Sequence, residues 1–140
     1  MEEIFIDSDV ILDLLAKRDP YYSSAALLFS QVENRTCRAF ISPLIFSNLF
    51  YILRKATSSA KAKETLKKLK TLVHVLPINE KIIEQALNSE FIDFEDAVQY
   101  YTAIEKGIKI LITRNKKDYK KAAITICTAD EFLGALKILT

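Results

Sequence analysis

The sequence has two cysteines, two glycines, three prolines and one histidine among 140 residues. Two cysteines, Cys37 and Cys127, cannot build the disulfide framework of a small secreted domain. With so little glycine and proline, and half the residues apolar, no stretch has the composition of a disordered linker. No apolar run reaches the length of a membrane span, so no membrane partner is expected. Met1-Glu2-Glu3 is acidic and leads directly into an apolar run, unlike the basic start of a secretory signal. The expected location is therefore the cytoplasm. Several catalytic patterns are missing too: there is no Ser-His-Asp order, no glycine-rich phosphate loop and no CxxC pair. The lone His74 reads as a surface or packing residue. Charge of one sign is also lacking, since the formal net charge is only +2, and overall charge does not argue for a nucleic acid.

What the chain does contain is a regular alternation of short apolar runs and helical patterns. Ile4-Phe5-Ile6 reads as a strand ending in Asp7-Ser8-Asp9, followed by a helix from Asp9 to Lys17. Asp19-Pro20 breaks the chain, with Pro20 expected in the first turn of a helix that reaches Arg35. Arg38 to Ser42 is a second strand. Ser42-Pro43 opens a helix with Leu44, Ile45, Leu49, Ile52 and Leu53 on its apolar side and Asn48 about two turns in. Ala60 to Leu72 forms another. Val73 to Ile78 is a third strand, and Pro77 places it at a sheet edge. Asn79 caps a helix from Glu80 to Asn88. A helix over Ala97 to Glu105 stops at Gly107, and Ile108 to Ile112 is a fourth, buried strand. Lys116 to Lys121 is a short basic turn. Ile124 to Cys127 is a fifth strand, and Thr128 caps a last helix, Ala129 to Leu136. Strands alternating with helices give an α/β fold, a parallel sheet covered on both faces. The length suits one domain with one core.

Polar groups gather where the apolar runs end. Asp7-Ser8-Asp9 follows strand 1. Asp93-Phe94-Glu95-Asp96, with Glu90 just before, opens the helix ahead of strand 4, where carboxylates face the positive end of the helix dipole. Thr113-Arg114-Asn115 follows strand 4, with Asp118 shortly after. Open α/β sheets bind ligands at the carboxyl ends of their strands, so Asp7, Asn115 and Asp118 fall on one edge. Asp96 joins them only if the connection before its helix returns there. Carboxylates at close range repel unless a cation sits among them. Oxygen ligands suit Mg²⁺ or Mn²⁺ rather than zinc, and such an ion activates water for attack on phosphorus. The candidate ligands are Asp7, Asp96 and Asp118, with Asn115 as a neutral oxygen donor. Each has a plainer reading. Asp7 serves equally well as a helix cap, Asp93 and Asp96 as a capping pair, Asn115 as a cap of the basic turn, and Asp118 as a solvated charge. Two lysine-rich clusters are present. The one at Lys61, Lys63, Lys67, Lys68 and Lys70 reads as a solvated helix face. The other, Arg114, Lys116, Lys117, Lys120 and Lys121, adjoins the acidic edge and suits a phosphate backbone.

Taken together, strand-Asp7-Ser8-Asp9, Asp93-Phe94-Glu95-Asp96-Ala97, Ile110-Leu111-Ile112-Thr113-Arg114-Asn115 and Lys117-Asp118-Tyr119 resemble the PIN domain nucleases, most closely the small VapC-type toxins of toxin–antitoxin modules. The likeness spans essentially the whole chain, residues 1–140, as one PIN domain. It implies a three-layer α/β/α sandwich with a five-stranded parallel sheet of order 3-2-1-4-5, which keeps Cys37 and Cys127 apart. It also implies an endoribonuclease that uses Mg²⁺ or Mn²⁺ and is held inactive by a cognate antitoxin protein, many members being homodimers. Carried over residue by residue, the metal-binding acids are Asp7 and Asp96, and the last polar pair is Asn115 and Asp118. Asp7, Asp96 and Asp118 are the expected catalytic residues. Asp9, Asn48, Asp93 and Thr113 stand around them to orient ligands and water, and Arg114, Lys116 and Lys117 are the expected RNA contacts. Hydrolysis would leave a 5′-phosphate and a 3′-hydroxyl. Two positions depart from the family pattern. Asn48 stands where many members have a glutamate, and Asn115 where the motif often has an aspartate. Each removes a negative charge, which argues against a two-metal site. The departures motivate an alternative: a catalytically weakened PIN domain that binds RNA or a partner. A second alternative, a haloacid dehalogenase-type phosphatase, rests only on Asp7-x-Asp9 and Thr113 at strand ends.

Overall fold

Ile4, Phe5 and Ile6 have no exposed surface, and a strand buried on both faces belongs in the middle of a sheet. In the computed structural model, which describes residues 1–119 and 122–139, β1 (Glu2–Ile6) holds that place. It pairs in parallel with β2 (Cys37–Ile41) on one side and β4 (Ile110–Ile112) on the other. β3 (Val73–Val75) and β5 (Thr125–Cys127) complete a parallel sheet of order β3-β2-β1-β4-β5. This is the expected α/β architecture and strand order.

The helices are α1 (Ser8–Leu15), α2 (Tyr22–Glu33), α3 (Pro43–Ala56), α4 (Ser59–Lys70), α5 (Glu80–Leu87), α6 (Phe94–Lys106) and α7 (Ala129–Leu139). α1 packs on α2, α2 on α7, α3 on α4 and α5 on α6. Side-chain caps start several of them by satisfying amide protons that have no partner inside the helix. Ser58 accepts from Lys61 N, Asn79 from Ile82 N and Asp93 from Asp96 N. α6 ends at Gly107, with φ +84°, a left-handed conformation that suits glycine. The amide of Ile108 bonds back to Ala103 O at 3.0 Å. That bond belongs to the helix end, so β4 begins at Ile110 and not at Ile108 as the apolar run suggests. The main core surrounds the sheet, and a smaller cluster of Ile82, Ala86, Ala97 and Val98 joins α5 to α6.

Two further boundaries differ from expectation. β3 ends at Val75 rather than Ile78. Leu76 N still bonds Ile41 O at 2.8 Å, but Pro77 has no amide to extend the ladder. Pro20 precedes α2 instead of starting it, because the amides of Tyr21 and Tyr22 both bond to Arg18 O and close a separate turn. Lys120 and Lys121, two members of the basic cluster, lie outside the described residues. Cys37 and Cys127 are free. Among the described residues no helix is long and apolar enough to cross a membrane.

Candidate active site

Ile6 is paired with Ile112, so Asp7 and Thr113 leave β1 and β4 side by side at the carboxyl edge. The Asp7 amide donates to Ile112 O at 2.9 Å, extending the ladder by one residue. The Asp7 side chain is only 6 % exposed. Its Oδ1 accepts from Ser8 N at 2.8 Å and caps α1. Its Oδ2 accepts from Thr113 Oγ1 at 3.0 Å and from the Tyr119 hydroxyl at 3.2 Å. The cap and the site are therefore the same carboxylate.

Tyr119 ends a short 3-10 turn, Lys116–Tyr119, and is 1 % exposed. Its hydroxyl is also 3.3 Å from Asp96 Oδ1. The chain before α6 thus returns to this edge, the condition on which Asp96 could join Asp7. Asp93 caps α6, so here too a plain helix cap and a site residue occur together. A phenol carries one proton, and an ionised carboxylate only accepts. One hydroxyl donates to only one of the two acids at a time; Asp7 keeps Ser8 N and Thr113 Oγ1 as further donors, and a proton or a cation relieves the remaining repulsion between the two. Burial, and secondly Asp9, push Asp7 up to about 6. Burial, then Asp7, Asp93 and Asp118, push Asp96 up to about 7. Burial and the two acids also hold the Tyr119 phenol well above its ordinary value.

A second group of contacts lies behind this pair. Asp9 Oδ2 accepts from Arg114 N at 3.1 Å and from Asn115 Nδ2 at 3.2 Å. Burial raises its carboxyl, against the lowering effect of the Arg114 amide and guanidinium. Asp13, 1 % exposed, binds Arg114 through two bonds, to Nε at 2.7 Å and to the terminal nitrogen at 3.1 Å. The guanidinium lies 4.0 Å from the centre of the Tyr21 ring. On α3, Asn48 donates its amide to Glu95 Oε1. Burial and Asp93 raise Glu95, and Asn48 lowers it.

The expected residues therefore fall into two sets. Asp7, Asp9, Asp96, Thr113 and Asn115 are linked by direct hydrogen bonds, or through Tyr119. Asp118 makes no side-chain bond to them, yet its charge raises Asp96, and it shares a cavity of about 410 Å³ with Asp96, Asp93 and Lys117. Among the expected RNA contacts, Arg114 is turned inward to Asp13, and Lys116 pairs with Glu131 at 3.0 Å. Lys117 makes no ion pair among the described residues. Tyr119 and Asp13 were not foreseen. Tyr119 left a signal as the only apolar side chain in a basic turn. Asp13 left one as a lone acid amid apolar Val10, Ile11, Leu12, Leu14 and Leu15, which requires a buried partner.

Among the described residues no group of three or more His, Cys, Asp or Glu side chains forms a ready metal cage. Mg²⁺ usually keeps several waters and takes one or two carboxylates together with substrate phosphates. Asp7 and Asp96, two acids sharing one proton, offer that charge and that kind of donor.

The family model of the PIN domain matches residues 3–117. The chain belongs to the PIN domain family. This PIN domain is 24 % identical over 136 residues to Ribonuclease VapC1 of Aquifex aeolicus strain VF5, covering 94 % of this chain and 93 % of the relative. Its fold is similar to VapBC-1 from nontypeable Haemophilus influenzae, with TM-score 0.70 and 16 % identity over 91 % of this chain and 98 % of that one. It is also similar to a toxin–antitoxin complex from Klebsiella pneumoniae, with TM-score 0.67 and 21 % identity over 90 % of this chain and 97 % of that one.

Proposed function

We propose that this PIN domain, acting as one unit over residues 1–140, is a metal-dependent endoribonuclease and the toxin of a toxin–antitoxin module. The observation that carries the reading is the pair Asp7 and Asp96 around the single Tyr119 proton. Asp7 and Asp96 would hold Mg²⁺ or Mn²⁺, with Asp118 and Asn115 beside them. When bound, the cation supplies Lewis-acid charge at the phosphate and lowers the pKa of a water. The chain's own residues do the rest. Ser8 N holds Oδ1 of the Asp7 carboxylate, and Thr113 Oγ1 with the Tyr119 hydroxyl holds Oδ2, so its orientation at the edge is fixed. Asn115 and the Arg114 amide fix Asp9 in the same way. Arg114, locked on Asp13, supports this edge from behind, and Lys117, which makes no ion pair among the described residues, is placed to meet a phosphate. The proposed partners are RNA, a cognate antitoxin and a second copy of the chain, and the proposed compartment is the cytoplasm. The name of the VapC1 relative and the Klebsiella toxin–antitoxin complex support these assignments.

A second reading is a binding module. It draws on Asn48 and Asn115, two neutral side chains whose amides are directed at Glu95 and Asp9. One experiment separates the two. A mixed RNA pool is incubated with purified protein, with and without Mn²⁺, beside Asp96→Asn. Metal-dependent cutting that vanishes in the variant, while its circular dichroism stays that of the parent, is the expected outcome. Retention of RNA with no cutting by either protein supports the binding module, to be followed by Asn48→Glu and Asn115→Asp. Full activity in Asp96→Asn sinks the site assignment.

A further inference from the structure

The exposed face of α3 carries a feature that the acidic edge does not use. Asn48, Tyr51, Ile52 and Lys55 recur at helical spacing, so they form one stripe. The stripe starts at the edge, because Asn48 is bonded to Glu95. A cleft of about 510 Å³ runs along it, lined among others by Ser8, Asp9, Arg18, Asn48, Tyr51 and Ile52. Tyr51 is 54 % exposed and Ile52 44 %, large apolar surfaces left in water beside the candidate site. Lys55 Nζ lies 4.3 Å and Arg54 Cζ 5.6 Å from the centre of the Tyr51 ring. Neither cation makes an ion pair among the described residues.

From this arrangement we infer that Tyr51 is a stacking platform for an unpaired RNA base, with Arg54 and Lys55 receiving the adjoining phosphates. The inference rests on the RNA-cleaving reading above and adds to it a binding subsite. Tyr51 is three residues from Asn48, a rise of about 4.5 Å along the helix. A base on its ring therefore lies close to the carboxylates, with the strand running on through the cleft to Asp9. A base offers a flat π face of the kind an exposed tyrosine stacks against, and its flanking phosphates call for nearby cations not already held in ion pairs. Both are present within one turn of α3. The arrangement selects single-stranded RNA, because the bases of a duplex are already stacked on each other.

The test uses a single-stranded RNA oligomer containing 2-aminopurine, titrated in EDTA with full-length protein in the Asp96→Asn background to keep the oligomer intact. Tyr51→Ala, Tyr51→Phe and the double variant Arg54→Ala with Lys55→Ala are compared. Quenching of 2-aminopurine that survives in Tyr51→Phe is expected, with Kd raised about tenfold or more in Tyr51→Ala. The double variant is expected to bind with a shallower salt dependence. With Mn²⁺ and Asp96 restored, Tyr51→Ala is expected to affect KM more than kcat. Equal quenching and equal Kd in Tyr51→Ala and its parent overturn the subsite, as does an oligomer that stays unbound. A change of sedimentation in Tyr51→Ala with RNA affinity intact makes this face a protein interface and overturns it as well. The two readings fail separately. Tyr51-dependent quenching by a protein that never cuts RNA leaves the subsite standing without the nuclease, whereas cutting indifferent to Tyr51 leaves the nuclease without the subsite.

Discussion

At the scale of single residues, the site turns on one proton. Tyr119 offers one donor to Asp7 and Asp96, and its ring is packed edge-on against Phe91, with centroids 5.9 Å apart. Tyr119→Phe keeps the ring and removes the donor. Above pH 7 both carboxylates then face each other with neither a shared proton nor a cation. A hydrogen bond to a charged group is worth about 2 kcal/mol, so the metal-free variant is expected to melt about 6 °C below the parent at pH 8. Saturating Mg²⁺ should recover most of that loss, since it replaces the missing positive charge. Differential scanning fluorimetry at pH 8, with and without Mg²⁺, checks this. A deficit that Mg²⁺ leaves untouched would mean that the hydroxyl only supports packing.

At the scale of elements, the carboxyl edge is held by a cross-link between α1 and the chain leaving β4. Asp13 and Arg114 are 101 residues apart and joined by two bonds, and the Asp13 side chain is 2 % exposed. Asp13 is the buried partner, so removing Arg114 leaves its charge with only the longer contact to Arg18 at 3.8 Å, at a cost of about 3 kcal/mol. Arg114→Ala is expected to lose up to that much in urea denaturation. Replacing both residues with apolar side chains of similar volume should recover most of it. A double variant whose loss equals the sum of the two single losses would show that the pair is not coupled. This cross-link was the least legible part of the sequence. Helix caps, the Gly107 stop and the apolar strands are local patterns, and they led to the α/β class directly. The strand order and the carried-over acids came from the motif resemblance. Asp13 and Tyr119 depend on contacts across more than a hundred residues, which no local period encodes. Arg114 was misleading for the same reason: an arginine in a basic run looks solvated until its buried partner is seen. The Asn48 partner is equally hidden: Glu95 reads in the sequence only as one of four acids at a helix start, and the contact between them spans 47 positions.

At the scale of the whole molecule, the crowded acids link stability to pH. Asp7 and Asp96, at about 6 and about 7, lie above their ordinary value of 3.8. Between about pH 4 and pH 7 the folded chain therefore binds more protons than the unfolded one. For a metal-free protein this means stability that is highest at the acid end of that window, declines as pH rises through it and levels off above it. A divalent cation acts in the opposite direction, because it binds the ionised acids. The rise in melting temperature on adding Mg²⁺ is expected to be small at pH 5 and larger at pH 8. Asp96→Asn should flatten the metal-free curve. Melting temperatures across pH 5 to 8, with and without Mg²⁺, test both statements, and a metal effect independent of pH would argue against ionised Asp7 and Asp96 as its origin.

The placement of the site in the chain also bears on synthesis. Asp7 is made well before Tyr119, 112 positions later, and meets it only after β4 has taken its place beside β1. A growing chain that has not yet reached Thr113 exposes the Asp7 carboxylate without the hydroxyl, the neighbouring strand or the turn that orients it. For a protein whose proposed activity is to destroy RNA, vectorial translation itself then acts as a delay. The carboxyl edge is complete only once the segment through Tyr119 has been made and has folded against β1.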